Sequence, residues 1–171
     1  MRRFPRPLLV LAVLGVAVTG CAPAAAPAPS ASAAAPQGTD AETLCAASTG
    51  GEDDVCVLED ATATDALDFD GYRVVKLIGG RFAGPVEIRG AEQIVVTGAS
   101  FSDDLTVDAT GGAVVKLSSI GGALSVEGGH GVTLVQNTVS GDLLCADGVQ
   151  ANGDGNAVGG DTTGTCTRVV G

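Results

Sequence analysis

Apolar residues recur along this chain at a fixed interval. Phe82, Phe101, Ile120, Val139 and Val158 stand nineteen residues apart. Four residues after each come Val86, Leu105, Leu124, Leu143 and Thr162, and two further on Ile88, Val107, Val126, Cys145 and Gly164. A second pair of columns keeps the same interval: Val75, Ile94, Ala113, Val132 and Ala151, then Leu77, Val96, Val115, Leu134 and Gly153. The pattern also runs backward through Leu67 and Phe69 to Cys56 and Leu58, so residues 56–169 divide into six units.

Within a unit the apolar residues alternate with polar ones, which is the period of a strand and not of a helix. Between the alternating pairs lie turn residues, among them Gly79-Gly80, Gly111-Gly112, Gly121-Gly122 and Gly159-Gly160. Short strands, sharp corners and a constant repeat predict an all-β fold, a parallel β-helix (β-solenoid) of about six 19-residue coils. Equivalent residues then stack about 4.8 Å apart, the spacing of paired strands. The steps from Phe82 to Ile88 and Ile88 to Ile94 are six residues, but the next, to Phe101, is seven. That departs from a strict hexapeptide, so a right-handed coil is preferred over a left-handed one. A small β-sandwich leaves the constant period unexplained.

Composition narrows the functions. Asp and Glu number 20 against 9 Lys and Arg, a formal charge of −11, which argues against nucleic acid. One His leaves no histidine metal cluster and makes a histidine-dependent triad a poor reading. With no Trp, one Tyr and four Phe, there is little to build a stacking platform for sugars or bases.

The N-terminus reads as an address. Arg2, Arg3 and Arg6 precede an apolar run from Leu8 to Val18, too short for a bilayer span of about 20 residues but suited to an export signal. Val18-Thr19-Gly20-Cys21 resembles a bacterial lipobox, with Val where Leu is usual. The resemblance implies cleavage before Cys21 and lipidation of that residue, including palmitate. One acyl chain anchors only marginally, so two or three are expected. Residues 22–36 are Ala, Pro and Ser alone, a spacer with no core to bury. The expected organisation is a signal peptide over 1–20, a lipidated Cys and disordered linker over 21–39, and a disulfide-capped β-helix over 40–171. Without Arg2, Arg3 and Arg6, the basic side chains fall to 6 against 20 acidic ones, a formal −14.

Four cysteines remain, Cys45, Cys56, Cys145 and Cys166. An even count in an exported chain suggests two disulfides. Cys45–Cys56 would close over the first coil and Cys145–Cys166 would fasten the last coil to the one before, at the two ends where a solenoid needs caps. At strict period Cys166 falls two positions past Cys145, so two extra residues are expected after Val158, within Asp161 to Thr165. A four-Cys zinc site would need both pairs in one tetrahedral cluster, although they lie far apart in sequence. Val139-Ser-Gly-Asp-Leu-Leu-Cys145, Asn156-Ala-Val-Gly-Gly and Gly164-Thr-Cys166 resemble the C-terminal cap of exported bacterial β-helix proteins of unknown function. Asp142 stands where those have Asn, and Thr165 where they have Gln. The resemblance implies a fold and a compartment; it carries no catalytic residue.

The remaining charged groups give weaker signals. Asn152-Gly-Asp154-Gly-Asn156 and Asp103-Asp104 suggest calcium donors, against a reading as solvated turns. Asp70, Arg89 and Asp108, each nineteen apart, read as a cross-coil charge ladder. Arg73, Lys76, Arg81 and Arg89 suggest a small basic spot, and His130 falls at a corner. The outward column Asp68, Glu87, Thr106, Ser125 and Leu144 is too irregular for ice or mineral binding. The expected function is a membrane-anchored envelope lipoprotein displaying a rigid acidic rod, a non-enzymatic structural or interaction module. It is exported, faces the extracytoplasmic side, is monomeric and uses no cofactor or metal. Its partners are the membrane, through lipid on Cys21, and an unidentified envelope protein or polymer. The alternative is a polysaccharide lyase or hydrolase, but the period leaves no room for cleft-forming loops between 56 and 150.

Overall fold

The computed structural model describes residues 40–48 and 54–171. The readings made for residues 1–39, Cys21 among them, lie outside the described residues.

The described chain winds into a parallel β-solenoid of about six turns, and its three strand positions per turn form three faces. A broad face is built from Val55–Glu59, Val74–Ile78, residues 93–97 and 112–116, Gly131–Val135 and Ala151–Asn152. A narrow face is built from two-residue strands, Thr62–Ala63, Arg81–Phe82, Ser100–Phe101, Ser119–Ile120, Thr138–Val139 and Ala157–Val158. The third face comprises Leu67–Phe69, residues 86–88 and 105–107, Leu124–Val126, Leu143–Cys145 and Thr162–Thr163. Its outward side chains include Asp68 and Glu87, and it is called the acidic face below. Strands Val86–Thr97 and Leu105–Lys116 run unbroken from the acidic face round the corner onto the broad face.

The nineteen-residue register holds at nearly every pairing: Phe82 on Phe101, Val86 on Leu105, Ile94 on Ala113, Val139 on Val158. One corner departs from it. Ala91 pairs with Ala109, a step of 18, before Gln93 restores the register on Gly112. Alternation makes every second strand residue point inward, and those residues are the ones the period picks out. Val86, Ile88, Ile94, Val96, Leu105, Val107, Val115 and Ile120 are wholly buried. Phe82 and Phe101 stack with ring centroids 5.1 Å apart.

A second internal column was not anticipated. It follows the turn from the broad to the narrow face and reads Ala61, Gly80, Ala99, Ser118, Asn137, Asn156. The residue before each, Asp60, Gly79, Gly98, Leu117, Gln136 and Gly155, has φ between +51° and +67°. This left-handed step swings the next amide off the strand ladder, and in the later coils a side chain of the following coil meets it. The Ala99 amide donates to Ser118 Oγ (3.3 Å), the Ser118 amide to Asn137 Oδ1 (3.1 Å) and the Asn137 amide to Asn156 Oδ1 (3.1 Å). Asn137 Nδ2 also donates to the Val115 carbonyl at 2.8 Å and Asn156 Nδ2 to that of Leu134 at 2.8 Å. Ser118, Asn137 and Asn156 are buried, and among the described residues no buried side-chain nitrogen or oxygen lacks a partner, as a low-dielectric interior requires.

Both ends are covered. At the N-terminal end a short helix, Ala41–Ala46, begins at Asp40, whose Oδ1 accepts the Thr43 amide at 2.7 Å. Ala41, Leu44 and Cys45 are buried against the first coil, and Cys45 is bonded to Cys56 with Cα atoms 5.1 Å apart. This helix is an addition to the all-β expectation. At the other end Cys145 is bonded to Cys166, Cα atoms 5.5 Å apart. The two extra residues expected within Asp161 to Thr165 fall at the end of that stretch: Thr162 and Thr163 keep strict register on Leu143 and Leu144. The two extra positions are taken up after them, where the chain leaves the ladder as a 3₁₀ helix, Gly164–Arg168. Gly164 begins that helix at φ +62°, and a Cβ there would collide with the Cys145 carbonyl oxygen. Cys166 and Val169 then close over the last coil.

Candidate functional site

The four cysteines of the described chain are joined in the two terminal pairs, so both disulfides read from the sequence are present. Bonded and apart, they do not form a four-Cys zinc site. Their work is structural, and the surface chemistry lies elsewhere.

The three faces differ in character. On the broad face, the outward residues from Val74 to Val135 are Val, Ile, Gln, Thr, Gly and two Lys, Lys76 and Lys116, with no acid among them. The narrow face presents small exposed residues, with Thr62, Ser100, Ser119 and Thr138 stacked in one column that Arg81 interrupts. The sequence reading tested the hydroxyl pattern on a column of the acidic face and so missed this one.

Several acidic side chains act as structural acceptors. Asp104 Oδ1 accepts the Ala123 amide and Asp142 Oδ1 the Asp161 amide, both at 2.7 Å, each at the turn of the next coil. Asp103 Oδ1 accepts the amide of Asp104 at 2.9 Å. In the stretch from Asn152 to Asn156, the Asn156 side-chain amide is not free to be a calcium donor, because it points inward and ends the buried ladder. Among the described residues no group of three or more His, Cys, Asp or Glu is placed to hold a metal ion.

The Asp70–Arg89–Asp108 ladder is corrected. Arg89 Nη1 lies 2.7 Å from Asp68 Oδ2, and Nη2 contacts Glu87. The register slip beside Gly90, itself at φ +67°, turns Arg89 away from a straight column. The basic spot dissolves similarly: Lys76 is on the broad face, Arg81 on the narrow face, and Arg73 and Arg89 at the corner between the acidic and broad faces. Arg73 Nε donates to Asp54 Oδ2 at 2.7 Å across one coil. This hydrogen bond, with the adjacent positive charge, holds the Asp54 carboxyl below the usual carboxylate range.

That corner carries a surface depression in which several kinds of side chain converge. A groove of about 390 Å³ crosses from Arg73 and Val74, past Glu92 and Gln93, over Gly111 and Gly112 to Gly131. It thus spans four successive coils and follows the rod axis. A contiguous hollow of about 370 Å³ shares Arg73 and Glu92 and adds Asp70, Tyr72 and Thr110. The local sequence explains the shape. Where two earlier coils place Arg73, then Glu92 and Gln93, the next places Gly111 and Gly112 and the one after it His130 and Gly131, so large polar side chains stand at one end of a floor built mainly of glycine. Ladder bonds pin that floor: the His130 amide donates to the Gly111 carbonyl at 2.8 Å, and Thr110 Oγ1 donates to the Ala91 carbonyl at 3.3 Å. Tyr72, the sole tyrosine, packs edge-on against Phe69 with centroids 6.4 Å apart. Partial burial, then the nearby charges of Glu42 and Asp40, push its phenol pKa up, so it stays a neutral hydrogen-bonding group.

Comparison with protein-family models, curated proteins and solved structures finds no match to this chain.

Proposed function

We propose that the protein is a lipid-anchored lipoprotein of a bacterial cell envelope that displays the acidic solenoid as a non-enzymatic binding or structural module. The observation that carries this reading is the pair of disulfide-fastened caps. Disulfides form and persist in oxidising, extracytoplasmic compartments. The caps also cover the terminal coils, whose strand edges would otherwise recruit further chains, which favours a monomer. The lipobox-like Val18-Thr19-Gly20-Cys21 and the Ala/Pro/Ser spacer support a tether that stands the rod off a membrane.

The test is to express the full chain in a bacterial host fed labelled palmitate, then to extract with detergent and separate the phases. Wild type is expected in the detergent phase with label, and Cys21→Ser in the aqueous phase without it. Equal labelling and partition of the two proteins overturns the anchor.

A further inference from the structure

We infer that the groove along the corner between the acidic and broad faces is a binding site for a linear, uncharged saccharide chain. The inference deepens the reading of the rod as a displayed binding module and rests on it for where the ligand is met. The site comprises Tyr72, Arg73, Glu92 and Gln93 at one end and the bare backbone of Gly112 and Gly131 at the other.

Geometry sets the ligand's form. The groove crosses four coils, three strand steps of about 4.8 Å, so it accommodates an extended chain some 14 Å long lying across the strands. Its volume of about 390 Å³, with the adjoining hollow, falls in the range of small-ligand sites. A peptide recruited by strand addition does not suit it. Such a peptide must run along a strand and pair with free ladder groups, whereas the floor strands already pair on both sides, Gly112 with Gln93 and with Gly131.

Charge sets the ligand's chemistry. Both guanidinium groups beside the groove are engaged by carboxylates, Arg73 by Asp54 and Arg89 by Asp68 and Glu87. Asp70 and Glu92 stand at the same rim in a strongly acidic chain. A polyanion is therefore repelled. An apolar ligand finds too little cover, because the exposed end is polar. What remains is a mixture of planar donors and acceptors (guanidinium, carboxylate, amide and phenol) around a flat floor of Gly111, Gly112 and Gly131 with Val114 beside it. Hydroxyl groups that both donate and accept satisfy such a set, and a pyranose ring presents them around a flat body that can lie on glycine. Guanidinium groups held by carboxylates are also preorganised, which lowers the ordering cost of binding.

The structure supplies a steric probe. A Cβ added at Gly131 meets nothing within 4 Å, and its φ is not in the left-handed range. Gly131→Phe can therefore fill the groove without disturbing the coil. The full chain, purified in detergent, would be titrated calorimetrically with cellotetraose and chitotetraose. At least one should bind, with little dependence on salt. Gly131→Phe should abolish the signal, Gln93→Ala should weaken it about tenfold, and Ser119→Phe on the narrow face should leave it unchanged. Circular dichroism confirms that each variant is folded. Binding by neither sugar overturns the inference, as does equal binding by Gly131→Phe and Ser119→Phe. Tighter, salt-sensitive binding of spermine at the same groove also overturns it, in favour of a cationic ligand. Chromatography of the recovered sugar separates the two readings. An intact sugar agrees with both, whereas a shortened one keeps the groove but ends the non-enzymatic reading. Absence of binding leaves the lipid anchor untouched.

Discussion

The two halves of the rod hold themselves together differently. In the N-terminal coils the stacked interior is bulky and apolar, with Phe69, Phe82 and Phe101 buried, and the corner column is small, Ala61, Gly80 and Ala99. In the C-terminal coils the Phe82–Phe101 column continues as Ile120, Val139 and a half-buried Val158, while the corner column becomes Ser118, Asn137 and Asn156. Loss of apolar volume on one side is thus accompanied by gain of buried hydrogen bonds on the other. The two devices differ in kind. Apolar stacking is non-directional and tolerates small shifts. The amide ladder works only if each coil sits in strict register, because each acceptor serves the coil before it. The later half is therefore specified by direction where the earlier half is specified by volume.

Truncating one residue in each half tests this difference most strongly. Phe101→Ala removes a buried ring stacked on Phe82 and should cost about 3–5 kcal/mol, whereas Val139→Ala at the equivalent position two coils later should cost about 1–3 kcal/mol. Chemical denaturation measures both, and equal losses would break the contrast. Next in size is the C-terminal staple. Cys166→Ala opens a link of sequence separation 21 and should cost about 2–4 kcal/mol. If the later coils are the weaker half, hydrogen exchange in Ala151–Asn152 and Ala157–Val158 should accelerate while that in Val74–Ile78 does not.

Much of the apolar framework was legible because the period repeats the same packing problem in every coil. Residues such as Leu105 and Leu124 could be assigned to one column, and the structure pairs them in that column. The ladder was not legible for an instructive reason. Hydrophobic patterning finds inward residues only when they are apolar, and Ser118, Asn137 and Asn156 look like turn residues. The available signal was Asn137 and Asn156 standing one period apart. Arg89 was misassigned because spacing alone cannot show the slip at Ala91 and Ala109. The groove depends on an exchange of Gln93 for Gly112 and Gly131 across coils, which reads in sequence as ordinary turn glycine.

A smaller effect sharpens the contrast on its polar side. Asn137→Ala removes the acceptor of the Ser118 amide and the donor to the Val115 carbonyl, leaving buried groups unpaired. The expected cost is about 1–3 kcal/mol. Ala99→Gly, in the same column where only a methyl group is lost, should cost about 1 kcal/mol or less. A similar loss for both variants, followed by thermal melting, would mean that the ladder is incidental to the later half.

The smallest effect concerns the left-handed step that makes the ladder necessary. Glycine occupies it at Gly79, Gly98 and Gly155, but the middle of the rod places Leu117 there at φ +54°. A side chain with a Cβ pays about 1–2 kcal/mol in that conformation. Leu117 is 58% exposed, so burial returns little of this. Leu117→Gly relieves the backbone but gives the unfolded chain more freedom, which opposes it by about 0.4–1 kcal/mol. The difference favours the variant by about 0.8 kcal/mol, or roughly 2–4 °C in Tm for a domain of this size. Leu117→Ala keeps the Cβ and should melt with wild type. If Leu117→Gly and Leu117→Ala are both destabilised, the leucine side chain holds a contact worth more than the strain, and the corner is fixed by packing and not by backbone conformation.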